Sequence, residues 1–189
     1  MMALRTNRFI LAFALSIAQI AFLGSMIVGR ANILRTGTDV RLTVEPVDPR
    51  DLLRGDYVTL GYQISRIDRG LLAEPAEGNI KNRWIYVRLA RAEDGSFAPV
   101  AARLDAPVAA DLADNEVDLR GIVQRDSDEA IPVVYGIERF YVPEGEGRAI
   151  ETAMRQDLFQ IVAAIAADGT PQIKALLHDG RPVYREPLY

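Results

Sequence analysis

Between Phe9 and Val28 the chain carries twenty consecutive residues without a charge. As an α-helix rising 1.5 Å per residue, such a run is about 30 Å long, the thickness of a bilayer's hydrocarbon core. Eleven of the twenty are Phe, Ile, Leu or Val. At roughly −0.3 to −0.6 kcal/mol each near the helix centre, they outweigh Ser16, Gln19 and Ser25. Asn7-Arg8 precedes the run and Gly29-Arg30 ends it. The stretch is longer than the roughly 7–15 apolar residues of a cleaved signal peptide, and no small-x-small site with a polar flank follows it. Ala12-Phe13-Ala14 has the small residues but lies mid-run. The pattern predicts an uncleaved signal-anchor over residues 1–30, with the lipid bilayer as the first partner.

Orientation follows from the flanks. Arg5, Arg8 and the terminal amine on one side face Arg30, Arg35 and Arg41 on the other. The short N-terminal tail favours N-in, with residues 31–189 on the far side of the membrane. One face of the anchor carries Ala14, Ala18, Ala21 and Ser25, a 4-3-4 spacing of small residues. Small residues let membrane helices approach closely, and Gln19 could hydrogen-bond across such a contact. An alanine-rich chain also places alanines in its anchor without that purpose.

Three of the 22 basic residues (Arg5, Arg8, Arg30) and none of the 26 acidic ones precede residue 31. Residues 31–189 therefore hold 19 basic and 26 acidic side chains, net −7. Dispersed acidic charge argues against nucleic acid or an anionic surface as partner. Cysteine is absent and His178 is the single histidine, so thiol chemistry, iron–sulfur centres and Cys- or His-cluster metal sites are excluded. No cofactor is expected.

Periodicity in this part is mostly two, the signature of strands. Asp39–Glu45 alternates Val40, Leu42 and Val44 with Arg41, Thr43 and Glu45. Asp56–Ser65 puts Val58, Leu60, Tyr62 and Ile64 on one face, with Asp56 beside them and Tyr57 and Thr59 opposite. Further strands are predicted at Arg83–Ala92, Phe97–Leu104, Val117–Val123, Val133–Val142, Leu158–Ala167 and Gln172–Leu177, with a short tail at Val183-Tyr184. Asp94-Gly95, Asp168-Gly169 and Asp179-Gly180 are hairpin signals. Ile150, Ala153 and Met154 predict one short helix from Arg148 to Gln156, and Arg66–Asn82 reads as the longest loop. The expected fold is mainly β: a single transmembrane helix followed by an antiparallel β-rich domain, about eight strands and one short helix.

Chemistry concentrates in Pro46-Val47-Asp48-Pro49-Arg50-Asp51-Leu52-Leu53-Arg54-Gly55-Asp56. Two prolines force the backbone out of helix and Gly55 permits a bend. A Ca²⁺ site from Asp48, Asp51 and Asp56, with Glu144 and Glu146, would use oxygen ligands. No calcium-loop spacing is present, and Arg50 and Arg54 already neutralise those acids. Turn-satisfying roles for Asp48 and Asp51 are the better expectation, and no metal is assigned. A Ser–Lys hydrolase of signal-peptidase type needs a serine just beyond the anchor, yet none lies between Ser25 and Ser65. Lys81 and Lys174 stand in no motif, and His178 reads as a surface residue beside its turn. No catalytic residues are assigned.

Gly55-Asp56-Tyr57-Val58-Thr59-Leu60-Gly61-Tyr62 resembles, at every position, the pattern that names the GDYXXLXY family of bacterial membrane-anchored proteins. Tyr135-Gly136-Ile137-Glu138-Arg139-Phe140-Tyr141-Val142-Pro143-Glu144-Gly145 is similar to its second recurring stretch. The resemblance spans nearly the whole chain. It implies a membrane-anchored protein without assigned activity, encoded beside or fused to multi-spanning membrane proteins, and carries Gly55, Asp56, Tyr57, Leu60 and Tyr62 over as motif positions. The expected function is a non-enzymatic accessory module in the bacterial cytoplasmic membrane that docks on a multi-spanning partner. The Asp48–Tyr62 segment and the Phe140–Gly147 loop, with Glu144, would form its recognition surface or brace each other. A rival expectation is an envelope ligand-binding or hydrolytic domain with Asp56 or Glu144 as acid/base.

Overall fold

The apolar run is helical, and the helix does not stop where the run does. In the computed structural model, which describes residues 2–45, 57–109, 111–142, 145, 147–154 and 156–186, helix α1 spans Met2–Thr36. Within its candidate membrane span, Phe9–Thr36, an apolar window reaches a mean hydropathy of 2.1, and the apolar side chains from Phe9 to Val28 lie on the outside. Those side chains have no protein to pack against, as expected of a helix solvated by lipid. Ser16 Oγ donates to Ala12 O at 3.0 Å and Ser25 Oγ to Phe22 O at 2.7 Å. Both hydroxyls are thus satisfied within the helix.

Past Arg30 the helix continues for two further turns, because Ala31 and Leu34, three residues apart, find a surface to cover. Both are buried, and α1 packs on strands β10 (Phe159–Ile165) and β11 (Pro171–His178). Ala164, Ala175 and Leu177 of those strands are buried outside the main core, on the side the helix covers. Gly37 closes the helix: its N–H donates to Ile33 O at 2.9 Å. A Cβ there would lie 2.6 Å from Ile33 O and 3.0 Å from the Ile165 backbone, so the exit is open to glycine alone.

Among the described residues the domain has two five-stranded antiparallel sheets and a two-stranded ribbon. The first sheet runs β12-β11-β10-β1-β3, where β1 is Thr38–Glu45, β3 Gly61–Tyr62 and β12 Arg181–Arg185. The second runs β4-β8-β7-β5-β6, formed by Arg66–Asp68, Ala130–Val134, Glu116–Val123, Trp84–Arg91 and Phe97–Leu104. The ribbon joins β2 (Tyr57–Thr59) to β9 (Arg139–Tyr141). One contiguous core takes side chains from all three, among them Val40, Leu42, Val58, Tyr62, Val87, Leu89, Phe140 and Ile161. Helix α2, Gly147–Met154, closes it with buried Met154 and the partly buried Ile150 and Ala153.

The three Asp-Gly turns form as expected, with Gly95, Gly169 and Gly180 all at positive φ. The tip of the β10–β11 hairpin also ties the sheets together. Strand β7 meets β8 only at Ile122-Val123, and Gly169 O accepts the Arg120 N–H at 2.9 Å on the strand's open stretch.

Four expectations need correction. The predicted strand Asp56–Ser65 is broken within its described part into β2, β3 and a 3₁₀ turn at Gln63–Ser65. Val133–Val142 is two strands, because the chain turns at Gly136, φ +84°. Arg66–Asn82 is not all loop: Arg66–Asp68 is β4, followed by a 3₁₀ turn at Arg69–Leu71. Twelve strands, rather than about eight, occur among the described residues.

Gly37→Ala is expected to lower stability by about 1–3 kcal/mol, as overpacking does, read as a drop in Tm of the detergent-solubilised protein. Gly24→Ala, inside the span with nothing within 4 Å of its Cβ, should leave Tm unchanged.

Candidate functional site

The signature segment is where the chain passes from one set of strand partners to another. Tyr57, Val58 and Thr59 pair with Tyr141, Phe140 and Arg139. Leu60 then donates its N–H to Glu138 O at 2.8 Å. Gly61 and Tyr62 pair with Glu45 and Val44 of the first sheet, and Arg66–Asp68 joins β8 in the second. Through these changes Val58, Leu60, Tyr62 and Ile64 all remain buried, as their alternation predicts.

Two tyrosines bind the crossing together. Tyr62 Oη donates to Ile137 O at 2.5 Å, and Tyr135 Oη donates to Ile64 O at 2.6 Å. Each phenol thus satisfies a carbonyl in the other's turn. The Glu138 carboxylate accepts the N–H groups of Tyr135 at 2.6 Å and Gly136 at 2.9 Å, fixing the bend between β8 and β9. Burial, reinforced by the nearby Glu138 charge, holds both phenols well above the ordinary tyrosine pKa of 10.0. They are therefore neutral donors. Within the signature, Val58, Leu60 and Tyr62 are structural, and the second recurring stretch is the surface they lock onto.

Tyr57 is placed differently. It is half-buried, with its ring 5.9 Å from that of Tyr141 at an interplanar angle of 58°. The Arg139 guanidinium lies 5.4 Å over the Tyr57 ring, within cation–π range. Tyr141 is 65% exposed. The ribbon therefore presents two aromatic rings and a cation on its outer side, as the expected orientation of Tyr57 away from Leu60 and Tyr62 requires.

Asp48, Arg50, Asp51, Arg54, Gly55, Asp56 and Glu144 lie outside the described residues, as does the carboxylate cluster considered for Ca²⁺. Among the described residues no group of three or more His, Asp and Glu side chains could hold a metal ion. Ala14, Ala18, Ala21 and Ser25 all face outward from α1. His178 stacks on Phe159, centroids 4.5 Å apart, with Nε2 3.0 Å from Asp157 Oδ2. Its side chain is 34% exposed beside the Asp179-Gly180 turn, as expected of a surface histidine.

Sequence reasoning missed Arg88. Its side chain is buried on β5, with Nε 2.8 Å and Nη2 3.0 Å from the two Asp118 oxygens. Nη2 also donates to Val108 O at 3.2 Å and Nη1 to Asp111 O at 3.4 Å. The bonded Asp118 carboxylate holds the guanidinium charged against the pull of burial. The pair fastens the segment before β7 over the outer face of the second sheet. An arginine between Val87 and Leu89 carries no sign in sequence that a loop will cover it.

Tyr62→Phe and Tyr135→Phe should each cost about 1–3 kcal/mol, because each strands a buried carbonyl, as measured by chemical denaturation. The raised phenol pKa values set the pH response. Above about pH 10 the unfolded chain releases these protons and the folded one does not, so their contribution is complete below that pH and declines above it. The double Phe variant should show a shallower alkaline decline.

No curated protein and no solved structure matches the chain. The family described as "GDYXXLXY protein" matches residues 19–176, a span that runs from within the anchor to β11 and contains both interlocked stretches. A match over that much of the 189 residues means that this chain belongs to the GDYXXLXY family.

Proposed function

We propose that the protein is a non-enzymatic accessory module of the bacterial cytoplasmic membrane, with its domain on the extracytoplasmic side, docking on a multi-spanning membrane protein. The observation that carries this reading is the junction of anchor and domain. Helix α1 runs unbroken to Thr36, and Ala31 and Leu34 are buried against the sheet. A domain that reaches for distant substrates needs a hinge at its anchor. One that holds a membrane partner in register benefits from moving with its helix.

Two surfaces fit such a partner. The outward row Ala14, Ala18, Ala21 and Ser25 permits close approach of another membrane helix. Where the domain meets the membrane surface, Tyr57, Arg139 and Tyr141 supply the residue types that dominate interface energetics. Asp48, Arg50, Asp51, Arg54, Asp56 and Glu144 are assigned to the same recognition region on sequence grounds.

Affinity capture of the full-length protein from native membranes in mild detergent tests the proposal. A near-stoichiometric multi-spanning partner is expected, diminished by Ala18→Ile in the anchor and by Tyr141→Ala on the ribbon. A preparation without any partner would sink the docking role. Loss of a measurable turnover in Asp56→Asn, with assembly intact, would favour the hydrolytic alternative.

A further inference from the structure

Just beyond the apolar run, the domain folds back against the helix and leaves a cleft of about 380 Å³. Its wall includes Arg30 of α1, Arg139 and Tyr141 of β9, Gln172 of β11, Tyr184 of β12 and Glu186. Arg30 Nη2 lies 3.2 Å from Glu186 Oε1. With the Gln172 carboxamide oriented to accept, its oxygen is 3.0 Å from Arg30 Nε and 2.8 Å from Nη2. The Phe140 ring backs Tyr184 edge-on, centroids 5.1 Å apart.

The height of this cleft is set by the helix. Arg30 stands two residues after Val28, about 3 Å further along the axis at 1.5 Å per residue. The polar layer outside the hydrocarbon core is about 5–8 Å deep on each side. Arg30 therefore lies within the headgroup layer, together with the Glu186 and Gln172 side chains that touch it. The 65% exposed Tyr141 fits the same layer, where amphipathic rings concentrate. This placement holds whichever side of the membrane the domain occupies.

The cleft carries both signs of charge side by side. Arg30 and Arg139 offer guanidinium donors suited to a phosphate. Glu186, whose side chain is 21% exposed, offers a carboxylate, and the Tyr141 and Tyr184 rings offer faces that favour an ammonium. A purely anionic ligand would meet Glu186 in a domain that is already net acidic. A ligand with a phosphate and a primary ammonium a few ångströms apart satisfies both ends. We propose that this cleft binds the zwitterionic headgroup of an amine-bearing membrane phospholipid, the phosphate on Arg30 and Arg139 and the ammonium against Glu186 and the tyrosine rings.

The test uses the full-length protein, delipidated in mild detergent and offered phosphatidylethanolamine or phosphatidylglycerol, with retained lipid counted by native mass spectrometry. Phosphatidylethanolamine should be retained at least about fivefold better, the scale of one charge-assisted contact. Glu186→Gln should erase that preference, Arg139→Gln should weaken retention of both lipids, and Tyr141→Ala should weaken phosphatidylethanolamine selectively. Arg181→Gln, at an exposed position outside the cleft wall, should change nothing. Tm of each variant, unchanged from the parent, separates lost binding from lost folding. Equal retention of the two lipids, or a preference that survives both Glu186→Gln and Tyr141→Ala, would overturn the proposal. Competition by soluble phosphoethanolamine at concentrations similar to the lipid would also overturn it, by making the ligand a soluble one.

Discussion

A strand that changes partners must find a new acceptor or donor for each backbone group it withdraws from the old ladder, and inside a core water cannot supply one. Between Tyr57 and Asp68 the chain visits the ribbon, the first sheet and the second sheet in turn. The groups released at the crossings are taken up by a small closed set: Leu60 N–H on Glu138 O, Tyr62 on Ile137 O, and Tyr135 on Ile64 O. Because each tyrosine serves a carbonyl beside the other, each crossing stabilises its counterpart. The core residues of both sheets lie around this knot, so the signature describes a folding constraint before it describes any surface.

A second constraint acts at the membrane. A short apolar helix can anchor a domain through a flexible tether, but here polar and apolar contacts continue past the bilayer. Arg30 reaches Glu186 and Gln172 on one side of the helix, while Ala31 and Leu34 cover the sheet on another. Gly37 then allows the chain to enter β1 without a side chain between helix and strand. Elsewhere in the domain, Arg88, held by Asp118 on the neighbouring strand, reaches the Val108 and Asp111 carbonyls, and the Gly169–Arg120 contact likewise bonds a polar group across a gap between elements.

Much of this was legible in the sequence, for physical reasons that also explain the failures. Val40, Leu42 and Val44, and the Asp-Gly turns, are local patterns with local causes, and they formed as read. Val58, Leu60, Tyr62 and Ile64 keep a period of two across a change of partners. Alternation therefore predicts their burial correctly and their single strand wrongly. Helix α1 overruns Arg30 because burial of Ala31 and Leu34 is a tertiary effect, invisible among Arg30, Asn32, Arg35 and Thr36. Of the candidate site, the outward aromatic Tyr57 was foreseen from strand parity. The partnership of Tyr62 with Tyr135 was not, since nothing local in either residue names a carbonyl more than seventy positions away.

The unbroken helix has a mechanical consequence. A rod packed against the domain at one end transmits torque to it, so any event that turns α1 about its axis turns the domain with it. At 3.6 residues per turn, adding one residue within the helix before Arg30 rotates everything beyond it by about 100° and lifts it by about 1.5 Å. The Tyr57–Tyr141 ribbon would then sweep to a different azimuth around the anchor. Which neighbours the domain can face in the plane of the membrane is therefore written into the residue count of its anchor.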